Sequence, residues 1–159
     1  MNVYIRIEDI KDGFDKSIQL CDYIRYLYPK KNTIMDGEFT KILFSNRYVT
    51  INGLYLYLPI KFERRSGDNM NHYRGIKDRA NFQTIKDLKE LELKLLEHYK
   101  QCSQKNVQAE LILCKQLNTG HVRVYQEKDR DNTNVCVLKI SGIWESHGKI
   151  GLTYKILEL

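Results

Sequence analysis

Tyrosine alternates with lysine or arginine at several places along this chain: Tyr4 with Arg6, Tyr55 and Tyr57 with Lys61, and Arg123 with Tyr125. Lys139 and Lys155 stand at comparable alternating positions further on. Flat rings stack on unpaired nucleobases at about 1–3 kcal/mol per base, while cations follow the phosphates and make the affinity salt dependent. A duplex hides its base faces, so this combination of side chains favours single strands. The same pattern also suits an ordinary strand surface, where the Tyr ring covers the sheet and its hydroxyl stays wet.

Other chemistry has less to stand on. Asp36-Gly37-Glu38 sets two carboxylates near one another, as a metal-dependent nuclease would, but the further ligands of two-metal chemistry are not evident and the triplet is also an ordinary turn. Glu92 and Lys94 fall mid-helix on different faces, which argues against a carboxylate–lysine pair of the nuclease type. Cys21, Cys102, Cys114 and Cys136, with His72, His98, His121 and His147, contain no closely spaced ligand pair, so reduced thiols are expected rather than a zinc site. There is no GxGxxG, P-loop or GxSxG motif. No enzyme activity, cofactor or metal is expected.

Strands must carry the tyrosines and cations, and the apolar pattern supplies them. From Leu54 to Phe62, one face holds Leu54, Leu56, Leu58, Ile60 and Phe62, and the other holds Tyr55, Tyr57, Pro59 and Lys61. Further strands are expected at Val3 to Ile7, Phe39 to Phe44, Arg47 to Ile51, Ala109 to Gln116, His121 to Glu127, Val135 to Trp144 and Lys149 to Ile156. Asn52-Gly53 and Glu145-Ser146-His147-Gly148 read as hairpin turns. In the last pair, Cys136, Leu138 and Ile140 oppose Lys139, while Ile150, Leu152, Tyr154 and Ile156 oppose Lys149 and Lys155. Trp144 shares the even register of the core residues, so a packing reading stands beside a stacking one.

Between the strand groups, Ile85, Leu88, Leu91, Leu95, Leu96, Tyr99 and Cys102 recur at helical steps and predict an amphipathic helix from Asn81 to Cys102. A shorter helix is expected from Ser17 to Tyr28, stopped by Pro29. Nothing alternates strand with helix, so the expectation is a mainly β, α+β chain: a mostly antiparallel barrel plugged by the long helix. Residues 63–80 interrupt this order as a polar stretch with Arg64, Arg65, Arg74, Lys77 and Arg79, expected to be a mobile basic loop.

The composition fits a single domain over residues 1–159, with 42% apolar and 29% charged residues. The formal net charge of +6 leans modestly toward polyanions, and positions 1–82 hold 14 basic and 10 acidic groups, so the lean is concentrated in the first half. The chain contains no run of about 18 apolar residues and its first residues carry no secretory pattern. A soluble intracellular protein without membrane contact is expected.

The blocks Leu138-Lys139-Ile140-Ser141-Gly142-Ile143-Trp144-Glu145 and Ile150-Gly151-Leu152-Thr153-Tyr154-Lys155 go beyond pattern. With Lys41-Ile42-Leu43-Phe44-Ser45, Asn52-Gly53-Leu54-Tyr55 and Gln116-Leu117, the chain resembles, across residues 36–157, the OB-fold single-stranded DNA-binding proteins of large double-stranded DNA viruses, similar in plan to those of certain phages. The resemblance implies an OB-like barrel with its helix between the third and fourth strands, and a role in coating single strands during viral replication, recombination or repair, in host cytoplasm or nucleus. The phage-like proteins end in an acidic tail, whereas this sequence ends Lys155-Ile156-Leu157-Glu158-Leu159, so recruitment of partners by that route is not expected.

These readings converge on a non-enzymatic single-stranded DNA-binding protein. Tyr55, Tyr57, Tyr125 and Trp144 are the stacking candidates, and Lys61, Arg64, Arg65, Arg74, Arg123, Lys139 and Lys155 the phosphate ligands. Single-stranded DNA is the expected partner, with viral replication proteins and a homo-oligomer left open. A virion or replication-complex assembly protein remains the alternative, because Tyr and Arg also anchor protein interfaces.

Overall fold

Apolar residues at alternate positions build two long strands near the end of the chain, and the rest of the sheet is laid along their edges. The computed structural model describes residues 5–6, 20–63, 73–76, 78–126 and 135–159. Its strands begin with β1 (Ile5–Arg6), β2 (Ile24–Tyr26), β3 (Lys30–Lys31), β4 (Glu38–Ser45), β5 (Thr50–Asn52), β6 (Leu54–Tyr57) and β7 (Tyr73–Gly75). Helix α1 (Asp78–Ser103), β8 (Gln108–Ala109) and helix α2 (Ile112–Asn118) follow, then β9 (His121–Gln126), β10 (Cys136–Ser146) and β11 (Lys149–Glu158).

β10 and β11 form the antiparallel hairpin expected from Glu145 to Gly148, closed by His147 (φ 49°) and Gly148 (φ 73°). Two successive residues at positive φ match the right-handed twist of the strands they join. Each long strand divides its outer edge between two short partners. β10 pairs with β6 from Val137 to Ile140 and with β4 from Gly142 to Glu145, both antiparallel. β11 runs parallel to β8 at Lys149 and Ile150, and parallel to β9 from Ile156 to Glu158. Beyond these, β7 pairs with β9, β1 runs parallel to β6, and β2, β3 and β5 pair with β4.

The sheet is therefore mixed, and among the described residues no ladder joins β6 to β9 or β7, the chain beyond β6 meeting the end of β7 through an isolated Phe62–Ile76 bridge, so it stays open. The expected mostly antiparallel closed barrel gives way to a mainly β, α+β sheet with the long helix over one face. Parallel neighbours need a crossover rather than a tight turn, and β10 itself is the crossover between β9 and β11.

Helix α1 starts earlier than its spacing suggests, but it buries the expected stripe of Leu88, Leu91, Leu95, Leu96 and Tyr99, while Cys102 is exposed. It is tied down by polar contacts as well. The buried Asn81 side chain exchanges two 2.8 Å hydrogen bonds with the Lys61 backbone, the Tyr99 hydroxyl meets Thr40 Oγ1 at 3.1 Å, and the Tyr26 hydroxyl meets His98 Nδ1 at 2.8 Å. Burial pushes the Tyr26 hydroxyl pKa up and the His98 imidazole pKa down, so both are neutral near pH 7. Glu92, fully buried, accepts 2.9 Å bonds from the Leu113 and Cys114 amides at the start of α2. Those amides lack partners within the helix, and no residue at the helix start caps them, so the carboxylate supplies the cap from a distance.

Several local expectations change. The helix expected from Ser17 to Tyr28 is a 3-10 turn at Leu20–Tyr23 followed by β2, because Ile24, Arg25 and Tyr26 pair with Phe44, Leu43 and Ile42; residues 17–19 lie outside the described residues. The strand expected from Ala109 to Gln116 is β8 and then α2, whose Leu113, Cys114 and Leu117 are buried at helical spacing. Asn52-Gly53 does not join a hairpin: β5 pairs with β4 through a turn in which the Asn46 side chain accepts the amides of Tyr48 and Val49. Within the segment expected as a basic loop, β7 pairs with β9 and α1 begins at Asp78, while residues 64–72 and 77 lie outside the described residues. Of the strand expected at Val3 to Ile7, only β1 is described. Among the described residues, no helix is long and apolar enough to cross a membrane.

Candidate functional site

One face of the sheet meets α1 and carries Leu54, Leu56, Val122, Val124, Leu138, Ile140, Leu152 and Ile156, all buried. Alternation sends the residues between them to the other face. There, Tyr55 on β6 stands opposite Lys139 on β10, and Lys139 opposite Lys155 on β11. Arg123 on β9 lies one step before the Val124–Ile156 pair, which continues the row across a fourth strand. Neighbouring strands are about 4.8 Å apart, so the row spans about 14 Å. The side chains interlock along it: Lys139 Nζ lies 5.3 Å from the Tyr55 ring centroid, Lys155 Nζ 5.2 Å from that of Tyr125, and the Arg123 guanidinium 4.8 Å from the same ring. Tyr57, 39% exposed, flanks the row on β6.

A bulge adds a second row to this face. Ile140 pairs with Tyr154 and Gly142 with Thr153, leaving Ser141 without a partner in the β10–β11 ladder. One extra residue reverses the alternation. Ile143 is therefore the buried residue opposite Leu152, and Trp144 emerges on the face of Lys139, not in the core register that its even number suggests. The bulge sits where β10 passes from its pairing with β6 to its pairing with β4. β4 in turn brings Phe39 opposite Trp144 and Lys41 opposite Gly142, and β3 brings Lys30 opposite Phe39.

Two glycines make room for these rings. A Cβ on Gly151 would fall 2.5 Å from Trp144 Cζ2, and one on Gly142 would fall 2.3 Å from the Thr40 carbonyl oxygen and 2.6 Å from Phe39 Cζ. The indole thus lies flat on the bare backbone of Gly151, while Gly142 admits both the Thr40 carbonyl and the edge of the Phe39 ring.

Charge is handled differently on the two faces. Glu38 and Glu145 stand directly opposite one another, and Lys105 bridges them at 3.1 Å and 2.5 Å. Lys139 and Lys155 are also directly opposite, but among the described residues neither has a carboxylate within ion-pair distance. Like charges in facing positions are destabilising, and here only the acidic pair is neutralised.

A cleft of about 350 Å³ opens beside this surface, between α2 and β9 along the edge of β11. Arg123, Tyr125, Trp144, Thr153, Lys155 and Gln116 are among its lining residues. The Tyr154 hydroxyl, whose pKa is pushed up to about 12 chiefly by burial, donates a 2.7 Å bond to Gln116 Oε1.

No family model matches this chain, and no curated protein or solved structure matches it either.

Of the residues singled out by sequence, the sheet brings together Tyr55, Tyr57, Arg123, Tyr125, Lys139, Trp144 and Lys155. Lys61 is exposed but lies past the end of β6, where its backbone is bound to Asn81. Arg64 and Arg65 lie outside the described residues; Arg74 is paired with Val122 in the β7–β9 ladder, and its side chain is not described. Phe39, Lys41, Lys30, Thr153 and Gln116 escaped the sequence reading. Phe39 and Lys41 already alternate with Thr40 and Ile42, so the signal was present for those two, but their partner strand lies about a hundred positions away. The carboxylate pair of Asp36 and Glu38 is separated in role: Asp36 is an exposed turn residue, whereas Glu38 is bound by Lys105.

Proposed function

We propose that this protein binds single-stranded DNA along the outer sheet face and coats it, in the manner the resemblance implies for viral replication, recombination or repair. The observation that carries the reading is the facing pair Lys139 and Lys155, which have no acidic partner among the described residues and are flanked by Tyr55 and Tyr125. Such a pair costs stability until an anion arrives, and a phosphate backbone supplies one. The strand positions that share this face carry Phe39, Tyr55, Tyr57, Tyr125 and Trp144 as rings and Lys30, Lys41, Arg123, Lys139 and Lys155 as cations, while Lys149 at its edge is neutralised by Glu110. Aromatic platforms interleaved with cations suit unpaired strands and tolerate any base. We read the sheet as OB-like although open, on the grounds of its bulged strand shared between two partners and the helix between its strand groups.

Fluorescence titration with labelled oligonucleotides tests the proposal. Single strands should bind more tightly than duplex, and the affinity should fall steeply with salt; equal or salt-insensitive affinities refute it. Replacing Tyr55 and Tyr57 together with Ala should weaken binding in a protein that still folds. The assembly reading draws on a different feature, the exposed Tyr28 (93%) and Ile34 (94%) in the segment between β2 and β4. A salt-insensitive oligomer without affinity for nucleic acid would favour it.

A further inference from the structure

Binding across the face by stacking and charge is indifferent to base identity, but the cleft at its end is built differently. β11 is paired with β8 at Lys149 and Ile150 and with β9 from Ile156 onward, and between these stretches helix α2 takes the place of a strand. Its Gln116 side chain thereby reaches the edge of the aromatic surface. We propose that this cleft holds one unstacked nucleobase of the bound strand and reads it, giving the protein a base preference at one position. The inference rests on the single-strand reading above and adds a subsite to it.

Three features support this assignment. The walls include Trp144, fixed flat on Gly151, and Tyr125, so a planar ring has a platform to enter against. Lys155 and Arg123, which already flank Tyr125, stand at the same cleft and would hold the phosphate of the inserted nucleotide. The volume, about 350 Å³, is at the small end of ligand pockets, which suits one nucleotide rather than a stacked run.

The polar groups decide what is read. Gln116 Oε1 accepts the Tyr154 hydroxyl proton, which fixes the amide and leaves its amino group to donate; among the described residues that amino group has no protein partner. A glutamine with both ends available pairs with adenine through N6 and N7. Here the acceptor end is engaged, so the remaining donor selects a base that presents a carbonyl oxygen. Thymine, cytosine and guanine have one and adenine has none. A site made to hydrogen-bond its ligand discriminates strongly against one lacking the group, because the buried polar atom is then left unpaired.

The test compares oligo(dT) with oligo(dA) by fluorescence titration of wild type, Gln116→Leu and Tyr154→Phe. Self-stacking of oligo(dA) contributes equally for all three proteins, so the change in the dT/dA affinity ratio isolates the subsite. Gln116→Leu should weaken oligo(dT) binding by about three- to tenfold, the value of one hydrogen bond, and leave oligo(dA) binding unchanged. Tyr154→Phe keeps the amide but unlocks it, and should lower the ratio without abolishing binding. If both variants fold, bind single strands with the wild-type salt dependence and keep the wild-type ratio, the cleft does not read bases and the proposal is overturned, while the single-strand reading stands. If the wild type binds neither oligonucleotide, the parent reading fails and the subsite with it.

Discussion

Replacing Lys139 and Lys155 with Ala should separate binding from stability. Five outer-face cations among the described residues flank the proposed path, Lys30, Lys41, Arg123, Lys139 and Lys155, while Lys149 on the same face is held by Glu110 at 2.9 Å. Each contact to a single-stranded phosphate contributes about −0.7 to the slope of log K against log salt, so full engagement gives a slope of about −3.5. Between 50 and 200 mM salt the wild-type affinity should then fall about 130-fold. The double variant keeps three of these cations, its slope should be about −2.1, and the same change of salt should cost it about 18-fold. Stability should move the other way. The facing like charges cost about 0.2–1 kcal/mol, so the double variant should melt at the same temperature as wild type or slightly higher. Oligonucleotide titrations over a salt series, with thermal melts of the free proteins, read both quantities. An unchanged slope in the double variant, or a wild-type slope shallower than about −1, would refute the argument that these lysines wait for phosphates. Clear destabilisation of the double variant would show instead that the lysine stems and tyrosine rings hold the sheet together.

Other perturbations probe the supports of the site. Gly151→Val should push the indole of Trp144 off the strand; since Trp144 is the single tryptophan, its emission maximum should shift and its quenching by single strands should weaken. Glu92→Gln replaces one of two carboxylate acceptors with an amino group that faces a backbone amide, and should cost about 1–3 kcal/mol by chemical denaturation. Burial holds the Glu92 pKa above its ordinary 4.5, against the pull of the Cys114 and Leu113 amides, so the native state binds its proton more tightly than the unfolded chain. The stability linked to this proton is full below pH 4.5 and is lost as pH rises through the raised native value, a drift that Glu92→Gln should lack. Lys105→Ala leaves Glu38 and Glu145 facing each other without a bridge, and should lower stability by about 0.2–1 kcal/mol, a loss recovered by adding Glu145→Gln.

Much of the outer face was legible because period-two alternation is local: Tyr55, Tyr57, Arg123, Tyr125, Lys139 and Lys155 each betray their side through apolar neighbours one residue away. Trp144 did not, since its side depends on a bulge three residues earlier and no residue type marks Ser141 as the extra one. The long helix was legible for the same local reason, whereas α2 was not. Its seven residues show helical spacing only at Leu113, Cys114 and Leu117, which a short strand run does not exclude, and its cap comes from Glu92 on another helix. Tyrosine content misled in part. Tyr26, Tyr99 and Tyr154 spend their hydroxyls on His98, Thr40 and Gln116 within the fold, which is structural work that composition cannot distinguish from a binding surface. The open, mixed character of the sheet depends on which distant strands share an edge, and alternation carries no information about that.

The unpaired Ser141 makes β10 behave like a message with a shifted reading frame. Upstream of it, even-numbered residues are read by the core; downstream, odd-numbered ones are, and the letters themselves do not change. Drawing Ser141 into the ladder as an ordinary rung would exchange Ile143 and Trp144 between oil and water without changing a single residue, whereas deleting it would only smooth the strand and leave both on their present sides. The two halves of the strand are thereby uncoupled: the half beside β6 and the half beside β4 can each be altered on the outer face without disturbing the core parity of the other, provided Ser141 stays outside the ladder.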